Sequence, residues 1–429
     1  MSRKPSTLPL ALYAAATGLF EPLTPALLRR RARAGKEDAG RLHERLGRPM
    51  VARPEGPLVW LHGVSVGESL SLLPLIGALR AGRPGLNVLV TSGTVTSAEV
   101  LARRLPAGVT HQYAPVDAPG AAARFLDHWR PDTALFVESE LWPNLIAAAA
   151  GRGVRLGLVS ARITQASADG WSRAAGTARA LLGAFELVLP QDAATAARLS
   201  RLGATVGPGL NLKLVGEPPP VDERLAAELK ALGRRIVLAA STHPGEERPI
   251  AEAFRAATAD GPGALLVVAP RHPDRGPAVA DELRALGFTV ARRAAGEPPA
   301  KAAEAYVADT LGELGAFYAA ADAVVMGGSF VDGIGGHNPL EAARLGCAIL
   351  TGPHVFNAAD IYGAMLDDCA VIAAADRAAL ARHIGGVLAN PAIAERVGEA
   401  AAAFAARQGA ALIEAMALIE PLLPAMSPA

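Results

Sequence analysis

The stretch PLVWLHGVSVGESLSLLP, at residues 57–74, places an acid on a glycine-bounded loop between a predicted strand and a predicted helix. Leu58 to Leu61 is a short apolar run of the kind that fills a buried strand of a parallel sheet. The leucines from residue 70 onward are spaced to cover such a sheet, so we expect a helix from about Glu68. Ligands of open α/β sheets bind outside the carboxyl ends of the strands. Glu68 is therefore a candidate catalytic base.

An acid in the first turn of a helix also has a purely structural interpretation. There it favours the positive end of the helix macrodipole by roughly 0.3–1 kcal/mol. Position alone leaves both interpretations of Glu68 open. A dinucleotide-binding loop is disfavoured, because HGVSVGES does not fit the G-x-G-x-x-G fingerprint and its acid would repel a phosphate.

The composition narrows the class of protein. A chain of 429 residues exceeds what one hydrophobic core usually serves, so we expect two domains. Lys and Arg total 42 against 41 for Asp and Glu, which argues against recruitment to nucleic acid by overall charge. Cys347 and Cys369 provide neither a disulfide framework nor the spacing of a metal cluster, which fits a reducing compartment. We therefore expect a cytosolic active face.

The N-terminal 48 residues have the pattern of a retained membrane anchor. Leu8–Phe20 is apolar for 13 residues, whereas a spanning helix needs roughly 20. A second apolar run, Leu23 to Leu28, is followed by 8 Lys or Arg against 3 acids between Arg29 and Arg48. A signal peptide has its basic region before the apolar one instead. We expect an amphipathic helix on an anionic membrane surface, with a packed helix and a solvated basic face as the alternative.

Two successive alternations of strand and helix follow this segment, and each predicts a doubly wound parallel sheet. The dense Gly and Pro of GPGLNLKLVGEPPPVD, residues 207–222, separates them. We predict an anchor and basic segment at 1–48, an α/β domain at 49–215, a linker at 216–234, a second α/β domain at 235–400, and a helix at 401–429 that crosses back to the first domain. The predicted strands are 58–61, 87–91, 111–114, 133–137, 155–159, 187–189, 235–240, 264–268, 289–291, 305–307, 323–326, 348–350 and 370–372.

Two acids leave another predicted strand of the first half together. FVESELWPN, residues 136–144, places Glu138 and Glu140 before a predicted helix. A lone acid there would be a cap, but a pair beside the Glu68 loop would shift pKa values and orient a base. Arg162, at the end of the next strand, is a candidate contact for an anionic group.

The second half has the pattern of a nucleotide pocket. Each of three loops follows a predicted strand: STHPGEE at 241–247, PRHPDR at 270–275 and MGGSFVDGIGGHNPLE at 326–341. Five glycines in the last loop are expected to leave backbone N–H groups open, and Asn338 as N-cap with Pro339 at N1 starts a helix that would bind an anion. Glu341, at N3, would accept hydrogen bonds from sugar hydroxyls. The alternative is a well-capped helix after a flexible loop.

Six motifs, in order along the chain, resemble those of the bacterial 3-deoxy-D-manno-octulosonic acid (Kdo) transferases. They are WLHGVSVGE, VESELWPN, STHPGEE, APRHPDR, DTLGEL and GGHNPLEAA. The resemblance implies the GT-B glycosyltransferase fold, with two Rossmann-like domains facing across a cleft and an N-terminal membrane-associated helix. It implies inverting transfer of Kdo from CMP-Kdo to the lipid A precursor lipid IVA in lipopolysaccharide biosynthesis, without metal or further cofactor. The implied location is the cytoplasmic face of the inner membrane, on an anionic surface and without nucleic acid.

The resemblance also assigns roles to residues. Glu68 matches the general base that would deprotonate the acceptor hydroxyl, while Glu138 and Lys213 match positions of transition-state stabilisation. The residues that match CMP contacts are Pro270, Arg271, His272, Leu311, Gly312, Glu313, Asn338, Pro339, Leu340 and Glu341. The chain departs from the family pattern at Gly63, where alanine is frequent, and at Leu210, where glycine is common.

Two alternatives to a Kdo transferase stay open at this point. One is another GT-B enzyme with a UDP-sugar donor, either a lipid-linked N-acetylglucosaminyl transferase or a UDP-sugar epimerase. The other is a non-catalytic membrane-bound protein of the same fold. Protection against heating by CMP rather than UDP would separate the enzymes, and the two carboxylates, Glu68 and Glu138, speak against a mere binding protein.

Overall fold

The computed structural model describes residues 5–139, 141–216, 218–259, 263–299 and 302–425. The chain divides into two compact units. Unit 1 contains the chain up to Val215 together with the residues from Gln408 onward, and unit 2 runs from Gly216 to Arg407. All thirteen predicted strands are present, with ends that agree to within two residues. The apolar runs were therefore sufficient to locate both sheets.

Unit 1 is built on a six-stranded parallel sheet. Its strands are β1 (Leu58–His62), β2 (Asn87–Ser92), β3 (Val109–Tyr113), β4 (Thr133–Glu138), β5 (Arg155–Ala161) and β6 (Leu187–Pro190). Their order is β3-β2-β1-β4-β5-β6. The order reverses between β1 and β4, which makes this pair the switch point at which doubly wound sheets bind ligands.

Helices cover both faces of this sheet. In chain order they are α1 (Leu8–Phe20), α2 (Thr24–Arg33), α3 (Leu42–Arg45), α4 (Val66–Gly82), α5 (Val95–Arg104), α6 (Pro119–Trp129), α7 (Pro143–Gly151), α8 (Gln165–Ser172), α9 (Ala175–Leu182) and α10 (Ala193–Arg201). Leu58 and Trp60 pack into one hydrophobic core, and Val59 and Leu61 into the other. This division follows from the alternation of side chains along a strand.

Unit 2 repeats the arrangement around a seven-stranded parallel sheet. Its strands are β7 (Ile236–Thr242), β8 (Leu265–Pro270), β9 (Val290–Arg292), β10 (Ala305–Val307), β11 (Ala323–Met326), β12 (Ile349–Thr351) and β13 (Ile372–Ala373). The order β13-β12-β11-β7-β8-β10-β9 puts the switch point between β7 and β11.

The helices from the unit 2 boundary onward include one inside the predicted linker. They are α11 (Glu223–Lys230), α12 (Glu247–Thr258), α13 (Gly276–Ala285), α14 (Leu314–Ala320), α15 (Leu340–Arg344), α16 (Ala359–Asp367), α17 (Arg377–Ala389) and α18 (Pro391–Ile419). Because α11 lies within 216–234, that stretch is not a simple extended connection, despite its three consecutive prolines. Its Leu225 and Leu229 are buried.

Three strands have a residue with a left-handed backbone as their last or second-to-last residue. The φ angles are 56° at Glu138, 49° at Ser160 and 57° at Ser241. The strand register shifts at each of these places. A non-glycine residue in this region costs on the order of 1–3 kcal/mol and persists where its surroundings hold it. Such irregularities re-aim side chains next to active sites, and all three lie at the carboxyl edge of a sheet.

The N-terminal helices attach to unit 1 through polar contacts. Tyr13 Oη donates to Asp117 Oδ2 at 3.0 Å, and the Glu21 carboxylate accepts from the Gly120 N–H and from Arg124, both at 2.8 Å. Six large apolar side chains remain 57–76% exposed: Leu8, Leu12, Leu19, Phe20, Leu23 and Leu27. The predicted helix with an apolar surface is therefore present, and its contact with a membrane stays a prediction.

One helix in the described part of the chain is long and apolar enough to cross a membrane. It spans Pro391–Leu422, and its most apolar window is 22% buried. Phe404 is buried in unit 2, while Ala415 and Ile419 lie in a core of unit 1. Core helices pass the same test of length and composition, so this finding alone is weak evidence for a membrane span.

Candidate active site

Glu68 lies in the first turn of α4, at the switch point of unit 1. Ser65 is the N-cap, and its Oγ accepts from the Glu68 N–H at 3.3 Å. The Glu68 carboxylate accepts from the Val64 N–H at 2.6 Å and from Ser65 Oγ at 2.7 Å, one bond to each oxygen. The first-turn position on which the structural interpretation of Glu68 depends is therefore confirmed. It does not exclude a base, since a carboxylate has about four lone-pair sites and these bonds use two.

Gly63 lies close to the side chains of Glu68 and Val137. A Cβ atom at position 63 would come within 2.9 Å of Val137 Cγ2 and 3.1 Å of Glu68 Cβ. An alanine, as the family pattern often has, would thus require small shifts in both neighbours. The departure at Gly63 gives the side chain of Glu68 slightly more room.

Glu138 and Lys213 form an ion pair next to the Glu68 loop. Lys213 Nζ lies 2.5 Å from Glu138 Oε1, and Glu138 is only 8% exposed. A Cβ atom on Gly67, which precedes Glu68, would lie 3.9 Å from Lys213 Cε. The structure therefore brings together the three residues that the resemblance assigns to catalysis. Among the described residues Glu68 has no ion pair, whereas the charge of Glu138 is balanced by Lys213. The Glu68 carboxylate is therefore the one available to accept a proton.

The loop that carries Lys213 is fixed by its neighbours. Asn211 Oδ1 accepts from the Lys213 N–H at 3.1 Å. Ser160 Oγ accepts from the Leu212 N–H at 3.2 Å, so the left-handed residue at the end of β5 positions this loop. Leu210, the second departure from the family pattern, is buried and leaves the Glu138–Lys213 contact intact.

The remaining predicted groups of unit 1 contribute less. Glu140 lies outside the described residues. Arg162 is exposed, and its N–H donates to the Glu138 carbonyl at 3.3 Å. A cavity of about 60 Å³ between Glu138, Arg162 and Trp171 adjoins the pair. A ligand in this cavity would therefore be able to place an anionic group against Arg162.

Unit 2 has a cavity of about 140 Å³ beyond the carboxyl ends of β8 and β10. Four of the ten predicted donor residues line it, namely Pro270, Arg271, Leu311 and Gly312. Arg271 is exposed and anchored by its N–H, which donates to the Thr242 carbonyl at 2.9 Å. The Leu311 side chain is 83% exposed. The Arg271 guanidinium has no ion pair with any residue that the structure describes, and together with the exposed apolar side chain of Leu311 it suits a ligand with an anionic and a flat apolar part.

Glu313 takes a supporting position in the same loop. Arg293 holds both of its oxygens, at 2.6 and 3.0 Å, and the Thr310 hydroxyl also donates to it. The hydrogen bonds from Arg293 keep the pKa of the Glu313 carboxyl below its usual value. Its carboxylate therefore shapes the loop around the cavity rather than facing a ligand freely.

The glycine-rich loop differs from the prediction. Four of its five glycines donate their N–H groups within the protein, at 2.7–2.8 Å. The pairs are Gly327 with the Ala240 carbonyl, Gly328 with Glu246 Oε2, Gly333 with Asp332 Oδ1, and Gly336 with the Gly328 carbonyl. The prediction of open N–H groups is wrong for these four, because neighbouring strand ends and carboxylates already use them.

The helix after this loop also starts later than predicted. Helix α15 begins at Leu340, so Pro339 rather than Asn338 is the N-cap. Asn338 still caps through its side chain, since its Oδ1 accepts from the Leu340 N–H at 3.0 Å. The helix has 5 residues, too few for an anion site at its N-terminus. Pro339 and Leu340 are buried, which leaves Asn338 and Glu341 as the exposed side chains of this segment.

Glu246 is a structural residue that the sequence reasoning missed. Its side chain is fully buried. Three backbone N–H groups donate to its carboxylate, those of His243 at 2.8 Å, Gly328 at 2.7 Å and Phe330 at 2.9 Å. Such bonds stabilise a buried carboxylate in the absence of a cation. Glu246 thus joins the loops that follow β7 and β11. In the sequence, the only indication of this role was an acid directly after Pro-Gly in STHPGEE.

Three histidines gather at the same edge of unit 2. The nearly parallel rings of His243 and His337 meet at their Nε2 atoms, which are 2.8 Å apart, with ring centroids 5.0 Å apart. The centroid of the His272 ring lies 6.2 Å from that of His243. Burial lowers the pKa of His337 to about 4 and lowers that of His243 as well. Within the described residues no group of three His, Cys, Asp or Glu side chains has the arrangement of a metal site.

A family model and the curated relatives agree on one family. A family model described as 3-deoxy-D-manno-octulosonic-acid transferase (kdotransferase) matches residues 40–215. The chain is 36% identical to a probable mitochondrial 3-deoxy-D-manno-octulosonic acid transferase of Arabidopsis thaliana, over 90% of this chain and 89% of that protein. It is 37% identical to the 3-deoxy-D-manno-octulosonic acid transferase of Bordetella pertussis, over 89% and 92%. A glycosyltransferase structure from Rickettsia africae matches with a TM-score of 0.54 at 12% identity, over 86% and 99%, which shows the fold alone.

Proposed function

We propose that this chain, which belongs to the Kdo transferase family and is therefore a glycosyltransferase of the GT-B fold, moves Kdo from CMP-Kdo to lipid IVA. The cluster of Glu68, Glu138 and Lys213 at the switch point of unit 1 carries the proposal. Attack by an acceptor hydroxyl needs a carboxylate that is free to take a proton. Glu68 meets that need because its carboxylate has no ion pair within the described residues.

The proposed reaction is a single displacement without a metal. Glu68 accepts the proton of the acceptor hydroxyl while the hydroxyl oxygen forms a bond to the anomeric carbon of Kdo. The bond from that carbon to the phosphate oxygen breaks, and its electron pair leaves with CMP. Attack from the opposite face inverts the anomeric centre. Lys213, held by Glu138, is the cation that would stabilise negative charge as it develops.

The donor would bind to unit 2. Arg271 is placed to make a charge-assisted hydrogen bond to the phosphate of CMP, and the exposed side chain of Leu311 offers apolar surface to the base. Enzymes with UDP-sugar donors and a non-catalytic binding protein are not favoured. Relatives that share 36% and 37% of their residues with this chain over most of its length are named Kdo transferases.

The N-terminal helices would hold the enzyme on the cytoplasmic face of the inner membrane. Their six exposed apolar side chains are followed by the exposed cations Arg29, Arg30 and Arg33. Arg31 contributes less to this surface, because its Nε donates to Glu37 at 2.9 Å. Apolar burial together with cations near anionic headgroups is the usual basis of interfacial binding.

A transfer assay with radiolabelled Kdo tests the proposal directly. Kdo generated as CMP-Kdo should appear in lipid IVA, and counting label per lipid gives the number of units added. CMP at about 100 times its Kd should stabilise the protein by roughly 2.7 kcal/mol, whereas UDP should not. Absence of label in the lipid, or equal protection by UDP, would contradict the proposed donor and acceptor.

A further inference from the structure

The His243–His337 pair bridges the switch point of unit 2. His243 follows β7 and His337 lies on the loop that follows β11, and these two strands are neighbours at the place where the strand order reverses. Ligands of doubly wound sheets bind at this place. The Glu246 carboxylate joins the same two loops, because it accepts from the backbone N–H groups of His243 and Gly328.

The short contact between the rings restricts the protons that the pair can hold. With Nε2 atoms 2.8 Å apart, one ring donates and the other accepts, so a single proton lies between them. A neutral imidazole carries one N–H. In the neutral pair one Nδ1 is therefore bare and the other protonated. One added proton gives both rings an Nδ1–H, and neither Nδ1 has a hydrogen-bond partner within the described residues.

Burial and the neighbouring cations both lower the pKa of the two rings, which disfavours a protonated pair when no ligand is present. Burial is the largest cause of the lowered pKa of both rings. Arg271 and His272 lower the pKa of both further, and Arg275, which donates to Glu247 at 2.8 Å, lowers that of His243. Glu246 opposes these effects at His243. An anion bound at this edge would offset the positive charge of the protonated pair and so favour its protonation.

We propose that His243 and His337 form a proton-sharing anion clamp in the donor site, which takes up one proton from solvent when the nucleotide phosphate binds and releases it when the nucleotide leaves. The inference rests on the proposed CMP-Kdo donor. In the protonated form the clamp presents two N–H donors to the phosphate, beside Arg271. Donor affinity therefore rises as the pH falls, because the bound state holds one more proton than the free state.

The test uses the methyl ester of CMP, whose phosphodiester, like that of the donor, does not titrate near neutral pH. Calorimetry in two buffers of different ionisation enthalpy counts the protons taken up by the full-length protein. We expect up to one proton per ligand and an affinity that rises up to about tenfold for each pH unit between about pH 8 and 5.5. His243→Gln and His337→Gln should each abolish the uptake, while His383→Gln, on α17, should keep it.

The outcomes separate the two proposals. A wild-type protein that fails to bind the ester at any pH removes the nucleotide site, and the clamp with it. Binding without proton uptake, at an affinity that does not change with pH, overturns the clamp and leaves the nucleotide site in place. Uptake that persists in both glutamine variants also overturns it. Should a variant fail to fold, the proton count of the wild-type protein decides alone.

Discussion

The switch points of the two units can be compared side by side. In unit 1 it holds two acids: Glu68, whose carboxylate accepts two hydrogen bonds but has no ion pair within the described residues, and Glu138, which is paired with Lys213. In unit 2 it holds His243 and His337, two rings joined to each other. The same strand reversal thus presents unlike chemistry: acids that can take a proton in one unit, and imidazoles that suit an anion in the other. The fold supplies the location, and the side chains supply the function.

The two units also hold these groups in different ways. In unit 1 the left-handed residues Glu138 and Ser160 belong to the site or fix the loop beside it. In unit 2 the buried carboxylate of Glu246 supports the loops around the histidine pair through its hydrogen bonds. Substitutions should therefore separate the units, with loss of chemistry in one and loss of nucleotide binding in the other.

Removal of the base should give the largest effect. Glu68→Gln is expected to lower kcat by about 10² to 10⁴-fold with CMP affinity unchanged, because the amide keeps the shape and an acceptor oxygen but takes no proton. Steady-state kinetics and calorimetry with CMP measure the two quantities. Glu99→Gln, on the exposed side of α5, is the matched control and should keep full activity. A kcat within a few-fold of wild type would remove Glu68 from this role.

Glu246→Ala should destabilise unit 2 and leave the stability of unit 1 unchanged. Each backbone donor left unsatisfied costs about 1–3 kcal/mol, and three donors lose their acceptor, so the free energy of unfolding should fall by about 3 kcal/mol or more. Guanidinium unfolding measures this change, and CMP affinity should fall with it. Glu252→Ala, at a partly exposed acid of α12, serves as the control. If both variants were equally stable, Glu246 would not be the support of the loops that follow β7 and β11.

Arg271→Ala and Glu341→Ala test the nucleotide site itself. Loss of a charge-assisted hydrogen bond should weaken CMP binding by about 1.5–3 kcal/mol, while acceptor binding stays the same. Calorimetry with CMP measures the effect, and Arg284→Ala, at an exposed arginine of α13, should bind like wild type. Unchanged affinity in both test variants would place the nucleotide elsewhere.

The smallest expected effect concerns the proposed membrane contact of the N-terminal helices. Arg30 is exposed and has no ion pair within the described residues, whereas Arg31 pairs with Glu37. Arg30→Gln should weaken binding to anionic vesicles by about 1 kcal/mol at low salt, and Arg31→Gln by less. Vesicle sedimentation at two salt concentrations compares them. Equal binding of both variants and wild type to anionic and neutral vesicles would favour the packed-helix alternative.

The sequence was informative where a structure depends on neighbouring residues. Buried apolar runs located the thirteen predicted strands, and the position of Glu68 just after the first strand indicated that it lies at the carboxyl edge of the sheet. It was uninformative where distant loops meet. The hydrogen bonds from the Gly328 and Phe330 N–H groups to Glu246, and the contact between His243 and His337, join segments that follow different strands. Neither periodicity nor local spacing records such contacts.

Helix α18 imposes an order on folding during synthesis. Its Ala415 and Ile419 belong to the same core as Leu61 and Leu72, yet they leave the ribosome after the whole of unit 2. Domains usually fold in the order in which they are made. Here the core of unit 1 stays open on one side until α18 emerges, and during that interval its apolar surface is available to a chaperone. The unit that is translated first is therefore the one completed last.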